Sequence, residues 1–160
     1  MKKWLIDISI VLIVFCLGVL FYPIISRVEH KSPEIIKIDS VVISNEELQY
    51  LFDKHKIRFS HIVMAQAILE SGNFTSTVFK SNNNFMGMKV AAQRYSFAAN
   101  PHDYGSYAKY ETVEDCVRDI KSWQIQNAFF LTKDEEYFLL LQKIYAEDSD
   151  YINKLKKIVK

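Results

Sequence analysis

Glu70 is the residue whose surroundings best suit proton transfer. It lies near the end of the stretch HIVMAQAILESG (61–72), where Ile62, Ala65 and Leu69 share one helical face and Gln66 and Glu70 sit one turn apart on the adjoining face. A carboxyl group on the last turn meets the negative end of the helix dipole, and apolar neighbours withhold water from it. Both effects favour the protonated form. A carboxyl that keeps its proton towards neutral pH can act as a general acid. Taken alone, such a glutamate is more often an exposed helix-end residue, so the neighbourhood has to decide.

That neighbourhood is unusual. Beyond residue 29 the glycines are Gly72, Gly87 and Gly105, and the first two closely follow Glu70 and the run Asn82, Asn83, Asn84. Such sparing use marks positions where the backbone needs left-handed angles or a close approach. The asparagine amides suit either a turn, by bonding the backbone, or the hydroxyls of a sugar. Phe85, Tyr95, Phe97, Tyr104, Tyr107, Tyr110 and Trp123 supply aromatic surface. Those on the hairpin are suited to stacking on sugar rings, Tyr107 and Tyr110 above all, whereas Trp123, Phe129 and Phe130 are expected in the core. His55, His61 and His102 lack metal-ligand spacing, so no metal or other cofactor is expected. Cys116 reads as a buried helical thiol.

The elements that must position these residues are mostly helices. Ser44 and Glu47 form a capping-box pattern ahead of a helix through about Lys56, and Ser60 is placed to cap a second helix that Gly72 ends. A short helix is expected over 75–80, a turn over 81–84 and an extended segment over 85–90. Residues 91–106 then form a loop or hairpin whose returning strand is 106–110. Thr112 with Asp115 and Thr132 with Glu135 open two more helices, and Ser149 or Asp150 opens a last one.

Several stretches in order carry a resemblance. AQAILESG (65–72), NNFMGMK (83–89), YAKY (107–110), the helix with Asp119 and Trp123, and YAEDSDYINKL (145–155) are together similar to the glucosaminidases of glycoside hydrolase family 73, whose members cleave bacterial peptidoglycan. The resemblance covers about residues 44–160. It implies an α+β, predominantly α, lysozyme-like domain with a small β-hairpin lobe, and it implies that Glu70 is the general acid. The segment 83–89 would lie beside the cleft, and Tyr107 and Tyr110 match tyrosines near the scissile bond. With Gln66, Asn83, Asn84 and Lys89, they are the expected substrate-binding residues. The chain departs from the family at Met86, where Phe is usual, and in the hairpin, where many members carry a second glutamate and residues 90–102 have none.

Glycosidases commonly pair two carboxyl groups. Asp103 is the sole acidic residue between Glu70 and Glu111 and is the candidate for the second role, although in the turn PHDYG it serves equally well as a loop residue. An acetamido group of the substrate can replace the second carboxylate altogether. The expected activity is that of an endo-β-N-acetylglucosaminidase on peptidoglycan. The rivals are a muramidase or lytic transglycosylase on the same fold, and a glycan-binding scaffold without turnover.

The N-terminus sets the setting. Residues 8–25 are uncharged and apolar, near the roughly 20 needed to span a bilayer, with Lys2 and Lys3 before them and Trp4 and Tyr22 at the flanks. A cleaved signal is usually shorter in its apolar part and ends in small residues. The expectation is therefore a single-pass anchor over 1–25 in the cytoplasmic membrane, a stalk over 26–43 and an extracytoplasmic domain over 44–160. Cys16 and Cys116 fall on either side of that division, which leaves no intramolecular disulfide. Of the 20 basic and 19 acidic side chains, three and two respectively lie in the first 29 residues, so the remainder carries no net charge and nothing favours nucleic acid.

Overall fold

The computed structural model describes residues 43–145 and 148–159. The expected anchor, and the stalk as far as residue 42, lie outside the described residues. Among the described residues, no helix is long and apolar enough to cross a membrane.

The described residues form six helices in order: α1 (Asn45–Lys54), α2 (Ser60–Glu70), α3 (Thr77–Asn82), α4 (Val113–Asn127), α5 (Asp134–Ile144) and α6 (Tyr151–Ile158). Local chemistry accounts for most of their ends. Ser44 Oγ accepts from the Glu47 N–H at 3.1 Å and the Glu47 carboxylate accepts from the Ser44 N–H at 2.8 Å, so the capping box forms as written. Thr112 caps α4 by accepting from the Asp115 N–H. α3 begins later than the sequence suggests because Ser76, accepting from the Phe79 N–H, is its cap. At α5 the Glu136 carboxylate accepts from the N–H groups of both Thr132 and Lys133. The helix therefore starts one residue later than a cap at Thr132 would place it.

The start of α2 departs from expectation. Ser60 is its first residue rather than its cap, and Phe59 occupies the cap position in a left-handed conformation (φ 53°, ψ 39°) with no side-chain cap. Distant partners hold that conformation. The Gln124 side chain accepts from the Arg58 N–H and donates to the Arg58 carbonyl, while the Phe59 ring stacks on Tyr137 at 4.5 Å.

α2 is the central helix, packed against α1 on one side and α6 on the other, with α5 beside α6. Ile62, Val63, Ala65 and Ala67 from α2 meet Leu48 and Phe52 from α1, Val117 and Ile120 from α4, Tyr137 and Leu141 from α5, and Leu155 from α6 in one buried core. Cys116 is fully buried there, and burial pushes its thiol far up from the ordinary range. Phe129 and Phe130 do not join the core. They follow the end of α4 and are 62% and 89% exposed, held out by Arg58, which donates to the carbonyls of Ala128, Phe129 and Leu131.

The expected β-hairpin is the main correction. Among the described residues, pairing is confined to one antiparallel bridge, Lys89 with Tyr107, flanked by the Val90 N–H to Ser106 carbonyl and Ala108 N–H to Met88 carbonyl bonds. Between them, side chains take over the work of a strand ladder. Asn100 accepts from the Lys109 N–H and donates to the Tyr107 carbonyl, Asp119 accepts from the Phe97 N–H, and Ser122 donates to the Tyr95 carbonyl. With the backbone bond from the Ala99 N–H to the Lys109 carbonyl, these contacts hold the loop without a second strand.

Candidate active site

Glu70 is the last residue of α2, and the chain turns sharply beyond it. The Asn73 N–H reaches the Ile68 carbonyl and the Gly72 N–H the Leu69 carbonyl, with Gly72 left-handed at φ 58°. This Schellman ending takes up carbonyls the helix would otherwise leave free, and it leaves the Glu70 side chain at the wall of a cleft of about 720 Å³. The loop 86–91 forms the facing wall, Tyr107 and Trp123 flank it, and Tyr145 and Tyr151 close it from the C-terminal side.

Burial is the larger influence on Glu70 and raises its carboxyl above the ordinary value; a hydrogen bond from Tyr151 opposes it. The Tyr151 hydroxyl donates to Glu70 Oε1 at 2.8 Å. The other oxygen, Oε2, lies near Gly87, where a methyl group would stand 3.8 Å from it and 4.0 Å from the Tyr107 ring. Gly87 is left-handed at φ 62°, so glycine there serves both the turn and the close approach of backbone to the acid. Lys89 and Tyr107, paired by the bridge, project together into the cleft, and Tyr107 is half exposed.

The other expected site residues are placed differently. Asn84 is buried and braces the loop, donating to the carbonyls of Met88 and Ala108 and accepting from the Met88 N–H. Asn83 caps α3 in a left-handed conformation and donates to the carbonyls of Tyr110 and Glu111. Tyr110 is buried and donates to Asp119 Oδ2 at 2.8 Å. Gln66 is buried behind the cleft and donates to the Tyr151 hydroxyl at 3.3 Å. None of these four lines the cleft, and each bonds other protein groups.

Asp103 is exposed in the turn over 100–106, where its backbone accepts from the N–H and hydroxyl of Ser106, and it does not line the cleft either. Asp103→Asn should therefore keep its turnover on peptidoglycan within about threefold of the parent, since asparagine suits the same turn. A loss above about tenfold in folded protein, the scale expected of a charge stabiliser, would return Asp103 to the site.

Sequence reasoning missed Arg94, Tyr145, Asp148, Tyr151 and Lys154, all of which line the cleft. Arg94 is held by a bidentate pair with buried Asp119, at 2.7 and 2.9 Å. Tyr145 donates to the Met86 carbonyl at 2.7 Å. Asp148 is the cleft's second carboxylate among the described residues, but it accepts from the Lys154 ammonium and the Asp150 N–H. The lysine beside it holds its carboxyl below the ordinary value. The signal for Tyr145, Asp148, Tyr151 and Lys154 lay in the stretch 145–155, read for its order and spacing but not for individual roles, whereas Arg94 carried no local signal. No cluster of three or more His, Cys, Asp or Glu able to hold a metal is found among the described residues.

Residues 45–160 match the model of the glucosaminidase family, described as mannosyl-glycoprotein endo-beta-N-acetylglucosaminidase. A comparison with curated proteins finds no match. Among solved structures, the chain is similar to the catalytic domain of the autolysin Auto from Listeria monocytogenes, at 21% identity over 70% of this chain and 76% of that one, with a TM-score of 0.48.

Proposed function

Because the chain belongs to the glucosaminidase family, we propose that it is an endo-β-N-acetylglucosaminidase cutting β-1,4 bonds in the glycan strands of peptidoglycan, with Glu70 as general acid. The observation that carries this reading is a desolvated carboxyl at the wall of an open, polar and aromatic cleft large enough for sugar rings. Tyr107 and Lys89 offer a stacking face and a cation beside it.

In the reaction, protonated Glu70 gives its proton to the glycosidic oxygen, and the leaving sugar departs as an alcohol. Positive charge then develops at the anomeric carbon. Among the described residues Asp103 lies outside the cleft and Asp148 is engaged by Lys154, which favours the carbonyl oxygen of the substrate's own 2-acetamido group as the source of the electron pair that closes a ring onto that carbon. Water opens the ring, giving its proton to the Glu70 carboxylate, and the acid is restored. The apolar segment 8–25 supports the further proposal that a single-pass anchor holds the domain outside the cytoplasmic membrane.

The test is mass spectrometry of the fragments released from purified peptidoglycan. The expected product carries N-acetylglucosamine at the new reducing end. A muramic acid reducing end, an anhydro sugar or no cleavage at all would each overturn the assignment, the first two in favour of a muramidase or a lytic transglycosylase and the last in favour of a glycan-binding scaffold.

A further inference from the structure

Gln66 is an odd residue to find in the middle of α2. It is 1% exposed, its Oε1 has no hydrogen-bond partner among the described residues, and its side-chain amide makes one bond, to Tyr151. A buried amide left half satisfied costs stability that an apolar side chain of similar size would not. What it provides is direction. The Tyr151 oxygen accepts from Gln66 Nε2 at 3.3 Å, so the hydroxyl proton is free to point the other way, onto Glu70 Oε1 at 2.8 Å. One oxygen of the carboxyl is thereby occupied by a donor. The acid proton then resides on the other, Oε2, the atom beside Gly87 and Tyr107.

We propose that Tyr151 is a positioning residue for the acid, reserving Glu70 Oε2 for the transferable proton, and that Gln66 acts through Tyr151 by fixing which way its hydroxyl points. This rests on Glu70 being the acid, as in the reading above. Gln66 and Glu70 lie on α2 and Tyr151 on α6, and the packing of α6 on α2 brings them together. Among the described residues Glu70 receives no other hydrogen bond. Among the described residues, the remaining ionisable groups around the cleft are Lys89, Arg94, Tyr107, Tyr145, Asp148 and Lys154. Because the Tyr151 bond favours the charged carboxylate, its removal leaves burial unopposed and moves the Glu70 carboxyl further up.

The experiment uses the full chain in detergent with purified peptidoglycan. Tyr151→Phe deletes one oxygen, so turnover should fall about tenfold from lost orientation, and the basic limb of the pH profile should move to higher pH. Gln66→Met should lose less, and the double variant should be no worse than Tyr151→Phe alone, since both residues act through one chain of bonds. A folded Tyr151→Phe with an unmoved profile, or losses that multiply in the double variant, would overturn the proposal. Should Tyr151→Phe not fold, a folded Gln66→Met with parental turnover and profile would overturn it instead. Absence of cleavage by the parent protein would count against the enzymatic reading alone. In that case carbon NMR titration of labelled glutamate, with the Glu70 signal identified by its loss in Glu70→Gln, reads the Glu70 carboxyl directly: an upward move in Tyr151→Phe supports the bond's role, and no move overturns it.

Discussion

Asp119→Ala should destabilise the domain by about 3–5 kcal/mol, the scale set by breaking a buried ion pair from one side. Asp119 is fully buried and serves three donors at once. Arg94 binds it through two nitrogens, the Phe97 N–H reaches Oδ1 at 3.1 Å, and the Tyr110 hydroxyl reaches Oδ2 at 2.8 Å. Removing the carboxylate leaves a guanidinium whose side chain is only 9% exposed without its counter-charge and leaves the buried Tyr110 phenol only the weak acceptor Met88 Sδ at 3.9 Å. In a domain of this size that corresponds to a drop of roughly 10 °C or more in melting temperature. Activity should fall as well, because the same pair ties the loop carrying Arg94, a residue of the cleft wall, to α4. Thermal unfolding of Asp119→Ala checks this. A change below about 1 kcal/mol would mean that the loop is not anchored there.

What could be read in advance was local. The capping box at Ser44 and Glu47, the cap at Thr112 and the Gly72 ending of α2 each depend on residues within a few positions of one another, and each forms as its sequence pattern implies. The Phe59 cap was not legible, since its left-handed backbone is held by Gln124 and Tyr137, more than sixty residues away. The hairpin failed for a related reason. An extended stretch becomes a strand only where its backbone pairs with a ladder, and here the side chains of Asn100, Asp119 and Ser122 take several of its backbone groups instead.

The candidate site divides along the same line. Glu70, Gly87, Lys89 and Tyr107 stood out as residue types in short patterns, and the fold brings them to one cleft. Gln66, Asn83, Asn84 and Tyr110 were ambiguous by chemistry, because an amide or phenol bonds a sugar or the protein equally well. Each bonds protein groups distant in the sequence. Tyr151 went unnoticed because the group it serves lies 81 positions earlier in the chain.

Glu70→Gln is the most direct test of the central claim. Glutamine keeps the shape and can still accept from Tyr151, but it has no proton to give, so peptidoglycan cleavage should fall at least about a hundredfold. The parent's rate should itself decline as pH rises through the elevated carboxyl value, since the acid works only while protonated. Stability supplies the control. Folded Glu70 holds its proton to higher pH than the unfolded chain, so between the ordinary value of 4.5 and the raised one the folded state binds more protons, and stability falls as pH rises through that window. Below 4.5 no such loss operates. Glutamine does not titrate, so Glu70→Gln should be at least as stable as the parent at neutral pH, and a loss of activity there cannot be laid to unfolding. The measurement is the rate at which new reducing ends appear in purified peptidoglycan with folded Glu70→Gln beside the parent. A fall of about a hundredfold or more is the predicted result, and a rate within about threefold of the parent would contradict the assignment of Glu70 as the acid.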